Sequence, residues 1–116
     1  MTIQRDTYQD GTLMGEGPIV AGRKHGPWRN WYRNGQLKAE GTFVHGEFDG
    51  RWTWWRENGE LLQRGDFVEG KQDGPWQRWH ENGSLLDEGA WRAGRRTGEW
   101  AFYNPDGSLR KSHTFR

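Results

Sequence analysis

The sequence lacks cysteine, and this absence excludes disulfide bonds, thiolate nucleophiles and cysteine-ligated zinc. It also lacks any apolar run of transmembrane length, and residues 1–6 have no apolar core of the kind that a signal peptide needs. A net charge of only +1 supplies no field that would draw the chain to nucleic acid or to an anionic membrane. We therefore expect a cytoplasmic protein without stable membrane insertion.

Aliphatic residues are scarce too, because the whole hydrophobic fraction is 31%. So low a fraction would by itself indicate disorder, but the chain has nine Trp, five Phe and three Tyr, residues that disordered chains lack. Eighteen glycines favour short strands joined by many turns. Since 116 residues leave room for one domain, we predict a single all-β domain over residues 1–116 with a thin core of aromatic rings.

A 24-residue repeat runs through the chain without an insertion. Glycines recur at one register, tryptophans follow two residues later, and a second aromatic position comes three residues after that. The members are Gly26, Gly50, Gly74 and Gly98, then Trp28, Trp52, Trp76 and Trp100, then Trp31, Trp55, Trp79 and Tyr103. We divide the chain into units 8–25, 26–49, 50–73, 74–97 and 98–116, and we expect the atypical first and last units to cap the array.

A turn pair in each unit identifies the unit as a β-hairpin. The pairs are Asp10-Gly11, Asn34-Gly35, Asn58-Gly59, Asn82-Gly83 and Asp106-Gly107. Asn-Gly and Asp-Gly are the preferred pairs of a two-residue type I′ turn, in which both central residues have positive φ. The predicted cross-strand pairs are Trp28–Gly41, Asn30–Ala39, Trp31–Lys38 and Tyr32–Leu37.

Ten short strands follow from these turns. They are predicted at residues 8–13, 16–20, 28–33, 36–44, 52–57, 60–68, 76–81, 84–92, 100–104 and 108–115. Because no long crossover separates them, they predict a single-layer antiparallel meander of stacked hairpins. The open edges of such a sheet could pair two copies into a homodimer.

The alternation of side chains along a strand places the aromatic residues on two faces. Trp28 and its counterparts lie opposite glycines such as Gly41, which a ring can cover, so we predict that this face is the core. The second face carries Trp31, Trp55, Trp79 and Tyr103, which we call the aromatic row. These rings could stack on one another and stiffen the sheet, or they could bind a protein, because Trp, Tyr and Arg dominate interface hot spots. The candidate partner-binding residues are Trp31, Trp55, Trp79, Tyr103, Trp54, Arg56 and Arg78.

The units have the form G-x-W-x-x-W-x-x-N-G-x-L-x-x-x-G-x-F-x-x-G. Over residues 8–116 they resemble the variant MORN repeats of the bacterial YwqK-type antitoxin family. The resemblance implies an elongated antiparallel sheet of β-hairpins that serves as an interaction scaffold. It also implies an immunity protein that neutralises a toxin encoded beside it.

No group of residues predicts catalysis, a metal site or a cofactor, so we expect a protein that is not an enzyme. Zinc needs three or four convergent donors, whereas the histidines occupy four different registers and should not come together. Glutamates that share a register with Arg64 favour exposed ladders of charge over the paired carboxylates of a glycosidase. The residues in question are His25, His45, His80 and His113, and Glu16, Glu40 and Glu88.

These features together predict a protein-binding scaffold, with a toxin as the candidate partner that the resemblance implies. The alternative is a module that uses the aromatic row to bind a small ligand, a lipid headgroup or single-stranded nucleic acid. Nucleic acid is the less favoured ligand, because basic residues concentrate in residues 92–116 and form no continuous basic track.

Overall fold

The computed structural model describes residues 1–116 as eleven β-strands without a helix. Their bounds are β1 Thr2–Thr7, β2 Leu13–Val20, β3 Arg23–Lys24, β4 Gly26–Trp31, β5 Leu37–Val44, β6 Glu47–Trp55, β7 Leu61–Val68, β8 Lys71–Trp79, β9 Leu85–Arg92, β10 Arg95–Tyr103 and β11 Leu109–Phe115.

All the strands belong to one antiparallel sheet in the order β1-β2-β4-β5-β6-β7-β8-β9-β10-β11, and β3 pairs with β2. The molecule measures 46 × 31 × 15 Å, and its longest dimension fits strands placed side by side in one sheet. The predicted all-β, single-layer meander of stacked hairpins is therefore confirmed.

The predicted type I′ turns are wrong at the Asn-Gly and Asp-Gly pairs. Only the glycine has positive φ there, as at Gly35 with φ 89°, and the loop has three residues. Tyr32 N–H donates to the Gln36 carbonyl, and Gly35 N–H donates to the Tyr32 carbonyl. These two bonds define a type I turn followed by a glycine bulge. The turns with positive φ at both central residues lie instead at the other ends of the strands, at Ala21-Gly22, His45-Gly46, Glu69-Gly70 and Ala93-Gly94.

The extra loop residue changes the pairing near each tip. Trp31 pairs with Leu37 and not with Lys38, and the predicted pair of Tyr32 with Leu37 does not form. A bulge follows at once, however, and Asn30–Ala39 and Trp28–Gly41 pair as predicted. The two irregularities compensate each other, so the register of the rest of each hairpin is the predicted one.

Strand positions differ from the prediction at two kinds of place. The first hairpin uses β1, whereas the predicted strand at 8–13 is a turn in which Tyr8 N–H donates to the Thr12 carbonyl. Strands β6, β8 and β10 begin about five residues earlier than predicted, because the tight turns at positions such as His45-Gly46 leave no loop between them and the preceding strands.

The face that carries Trp28, Trp52, Trp76 and Trp100 is the core face, as predicted, and each of these side chains is buried. The glycine under each ring is not the one predicted. Trp52 pairs with Gly65 in register, but its ring lies over Gly41 on the preceding strand. Trp28, Trp76 and Trp100 likewise cover Gly17, Gly65 and Gly89, each on the preceding strand of the sheet. Every ring thus joins its own hairpin to the one before.

A second layer of rings covers these tryptophans. The Phe43 and Phe48 rings contact Trp52 with centroid distances of 4.9 and 4.5 Å, both edge-on. Trp54 stacks on Trp52 at 5.9 Å, and Phe67 contacts Trp76 at 5.9 Å. Edge-on and offset pairs are the favourable arrangements for aromatic rings. This layer explains how a single sheet buries large side chains without a second sheet against it.

Side-chain hydrogen bonds repeat along the hairpin tips as well. Tyr8 Oη donates to the Trp31 carbonyl at 2.7 Å, Tyr32 Oη donates to that of Trp55 at 2.8 Å, and Arg56 donates to that of Trp79 at 2.9 Å. Each bond joins one hairpin to the next. The sequence signal for these bonds is a shared register of long polar side chains at residues 8, 32 and 56.

We expect Gly41→Ala to destabilise the protein by about 1–3 kcal/mol, the usual cost of overpacking. The new Cβ would lie 2.2 Å from the Trp52 ring, which cannot move because other rings cover it. Urea denaturation gives the free energy of unfolding. Thr42→Ala, on the opposite face one residue along, is the control and should change it by no more than ~0.5 kcal/mol. Equal effects of the two substitutions would contradict the role of the glycine.

Candidate functional site

The aromatic row lies on the face opposite the core, which we call the polar face. The Arg64 guanidinium lies 5.3 Å from the Trp79 ring centroid, and Tyr103 Oη donates to Glu88 at 3.2 Å. Both charged residues belong to the polar face, and Trp31 and Trp55 share the register of Trp79 and Tyr103. All four members of the row are half-buried.

The rings of the row do not stack on one another, so the stacking alternative is wrong. Successive members lie two strands apart, which is roughly 9.6 Å and too far for ring contact. A charged residue of the preceding strand lies beside two of the rings, Arg64 beside Trp79 and Glu88 beside Tyr103. Glu40 holds the same register on β5, between the strands of Trp31 and Trp55. The row therefore alternates rings with charges of both signs.

Ion pairs cross the rest of the polar face. Arg5 contacts Glu16 at 2.7 Å, and Arg29 contacts Glu40 at 3.2 Å, while further along the sheet Arg51 contacts Asp66 at 2.6 Å. These are the exposed ladders of charge that the repeat predicted. Exposed pairs contribute roughly 0–1 kcal/mol each, so their main effect is to set the charge pattern that a partner meets.

A groove of about 610 Å³ opens on the polar face near the N-terminal strands. Ile3, Pro18 and Pro27 form apolar parts of its wall, and Arg29 and Glu40 are among its charged residues. The repeat did not predict this groove. Its signal was a set of prolines on adjacent strands, which the repeat pattern does not contain.

The seven candidate residues do not form one surface. Trp54 lies on the core face, where its ring is 6.2 Å from Phe48 and 6.1 Å from Trp76. Arg78 lies on that face too and binds the carboxylate of Asp87, with its Nη2 at 2.5 Å. Arg56 lies at a hairpin tip, where it bonds the backbone of the next hairpin. The structure thus brings together only the four members of the aromatic row.

An ion pair between Arg78 and the buried Asp87 lies on the core face. The Asp87 side chain is 0% exposed and that of Arg78 is 41% exposed. Arg78 Nε lies 3.1 Å from each carboxylate oxygen, so the arginine contacts both oxygens at once. The hydrogen bond to Asp87 raises the pKa of the Arg78 guanidinium above its ordinary value. The positive charge of Arg78 is therefore neutralised within the fold by Asp87.

The histidines differ from the prediction in one respect. The His25 and His45 rings lie 5.0 Å apart, and His45 N–H donates to His25 Nδ1 at 3.2 Å, although the two residues hold different registers. The tight turn at His45 brings them together. His80 bonds the Tyr103 carbonyl, and His113 packs against Phe115 at 4.5 Å. No group of three or more potential metal ligands occurs in the chain.

No helix with the length and apolarity needed to cross a bilayer occurs in the structure.

The comparisons with known proteins agree with the repeat. A family model described as MORN repeat variant matches four segments, residues 24–45, 48–69, 72–91 and 96–116, which together cover more than half of the chain. No curated protein matches the chain significantly.

We expect Arg78→Met to destabilise the protein by about 3–5 kcal/mol, because it leaves the Asp87 carboxylate buried without a partner. Arg64→Met is the control, since the Arg64 guanidinium bonds only the Gln77 amide, and it should cost ~1 kcal/mol or less. Chemical denaturation measures both. The double substitution Arg78→Met/Asp87→Leu should recover most of the loss, and a double variant no more stable than Arg78→Met would contradict this account.

We expect the Tyr103 phenol to ionise above its ordinary pKa of 10.0. Partial burial raises its pKa first, and repulsion from Glu88 and the hydrogen bond to it add to the effect. Since the folded pKa is the higher one, the stabilisation is present below the unfolded pKa and is lost as the pH rises through the folded pKa. A phenolate absorbance titration in a Tyr8→Phe/Tyr32→Phe background measures it. Glu88→Gln should lower the pKa of Tyr103, and an unchanged value would refute the assignment.

Proposed function

Because the chain belongs to the MORN repeat variant family, we propose that it is a non-catalytic scaffold that binds a protein partner through its polar face. We further propose that the partner is a toxin and that the chain acts as its antitoxin in the cytoplasm. In this proposal the scaffold neutralises the toxin by covering it, without turning over a substrate.

The observation that carries the proposal is the half-buried aromatic row. The core-face tryptophans are needed for the fold, because each covers a glycine and is itself covered by other rings. The members of the row contact neither one another nor that core. Large rings that a fold does not need for its core are a favourable basis for an interface, because buried Trp and Tyr contribute most of the binding energy in many complexes.

The surroundings of the row also support a protein as the ligand. Charges of both signs alternate with the rings, so the complementary surface must carry both signs too. A nucleic acid or an anionic membrane would favour a face of positive charge alone. Exposed charges of this kind act mainly on the rate and specificity of association.

The size of the face supports a stable complex. The 46 × 31 Å outline of the sheet exceeds the roughly 800 Å² per partner that a standard interface buries. The groove beside Pro18 and Pro27 adds a concave region where a side chain or loop of the partner could enter. A sheet whose strands are all paired also loses little conformational freedom on binding, which favours affinity.

The experiment is a tagged capture from a lysate of the source organism at physiological salt. Wild type is compared with the triple variant Trp31→Ala/Trp55→Ala/Trp79→Ala, and circular dichroism first confirms that both are folded. We expect one stoichiometric protein to be retained by wild type and lost from the variant. With the purified partner, each single substitution should weaken binding by about 2 kcal/mol.

The control is Gln4→Ala, an exposed residue of β1 in register with Gly17, so that it lies on the core face far from Arg96. It should leave the affinity unchanged. To test the antitoxin role, the captured protein is expressed alone and together with the scaffold, and we expect growth arrest only when it is alone. A captured protein that is harmless to cells would contradict the antitoxin role but still support the binding scaffold. A folded triple variant that binds as well as wild type would remove the aromatic row from the interface.

A further inference from the structure

One of the four core tryptophans departs from the hydrogen bond that the other three make. The indole N–H of Trp28 donates to the Pro18 carbonyl at 2.9 Å, that of Trp52 to Thr42 at 2.8 Å, and that of Trp100 to Ala90 at 3.1 Å. The corresponding acceptor for Trp76 would be the Asp66 carbonyl, but this bond is absent. The repeat itself thus provides three internal controls for an exception at Trp76.

The exception has a visible geometric basis. The rings of Trp28, Trp52 and Trp100 lie over their glycines with the bond shared by the two indole rings, whereas Trp76 lies over Gly65 with its Cε3 edge. In the same part of the face Trp91 takes the position that Phe43 and Phe67 hold in other repeats, and its centroid lies 6.3 Å from that of Trp76. The Trp91 indole N–H is buried and also lacks an acceptor. Two neighbouring indole donors are therefore unused.

A groove of about 290 Å³ opens beside these two rings on the core face. Its walls include Gln63, Gln72, Arg78 and Arg96. The positive charge of Arg78 is neutralised by Asp87, and neither glutamine side chain makes a hydrogen bond. The groove thus contains further polar groups whose hydrogen-bonding capacity the fold leaves free.

Arg96 is the charged group that the groove leaves unpaired. Its guanidinium lies 5.7 Å from the Trp91 ring, 4.9 Å from that of Trp100 and 5.5 Å from that of Phe115, and it makes no ion pair or hydrogen bond. Three rings hold the planar group in place, so binding an anion would cost little additional ordering. A fixed guanidinium with free donors matches the two oxygens of a carboxylate.

We propose that this groove is a second docking site, which binds one acidic side chain of a protein partner through Arg96, the Trp76 indole N–H and the glutamine amides. The proposal rests on the proposed function, since it assigns chemistry to the partner. A polyanion is the less suitable ligand because the nearest cation in the same register, Lys24 over the Trp28 ring, lies three repeats away. The Arg96 position is held by Lys24, Phe48 and Gln72 in the other repeats, so no track of equivalent sites follows the sheet.

The test is a titration of the ¹⁵N-labelled full chain with a capped (Glu-Gly)₅ peptide, with (Gln-Gly)₅ as the neutral probe. Indole N–H resonances are assigned from Trp76→Phe and Trp91→Phe variants. We expect the Trp76 and Trp91 resonances to shift saturably with the glutamate peptide only. The resonances of Trp28 and Trp52 should remain in place, because neither ring lines the groove.

Arg96→Gln and Arg95→Gln remove the same charge from adjacent residues on opposite faces and form a matched pair. We expect Arg96→Gln to raise the Kd for the peptide roughly tenfold or more, because a charge-assisted bond is lost, and Arg95→Gln to change it less than about twofold. If Arg96→Gln does not fold, Gln72→Glu serves instead, since a carboxylate placed in the groove should abolish the shifts of Trp76 and Trp91.

Three outcomes would overturn the proposal: no saturable shift, equal losses in the two arginine variants, or tighter binding of inorganic phosphate than of the peptide at the same resonances. The last would identify a small-anion site. The proposed function fails separately. If the partner is lost by the triple variant of the aromatic row but retained by Arg96→Gln, the scaffold function stands and the groove is not a docking site. If the peptide binds but no partner is captured, the groove binds carboxylates and the proposed scaffold function is wrong.

Discussion

Each core tryptophan lies across a glycine of the preceding strand, and the rest of the structure depends on this contact. The close approach is possible only because glycine has no Cβ, and the ring restores the packing that the glycine lacks. Since the ring and the glycine belong to successive hairpins, the contact also sets how one hairpin lies against the next. Because this contact repeats, the second layer of rings, the hydrogen bonds at the hairpin tips and the division into a core face and a polar face also repeat along the sheet.

This mode of packing separates the work of the two faces. The core face buries its rings against the sheet itself, so a single layer becomes stable without a covering sheet or helix. The core packing does not need the aromatic row, so the polar face can present these rings between charges of both signs. In the fourth unit the Trp76 indole N–H, unlike that of the other core tryptophans, makes no hydrogen bond, and it lies near an unpaired Arg96.

Much of the fold could be predicted from the sequence because its determinants are local and recur. The repeat predicted the meander, the alternation of strand faces predicted the core, and Trp28–Gly41 was paired correctly. The type of turn could not be predicted, because Asn-Gly suits both a two-residue turn and a three-residue turn with a glycine bulge. For the site, the aromatic row was found from its register, but Trp54 was placed with Trp55 although adjacent strand residues point to opposite faces.

The sequence by itself determined the repeat, the sheet and the two sets of aromatic residues, since each of these depends on spacing along one chain. The tertiary structure decided which glycine each ring covers, that Arg78 is committed to Asp87, and that His25 approaches His45. It also decided where donors stay free, as at Trp76 and Trp91. The physical reason is that these features depend on which neighbouring strand a side chain leans toward, and spacing along the sequence is the same for either choice.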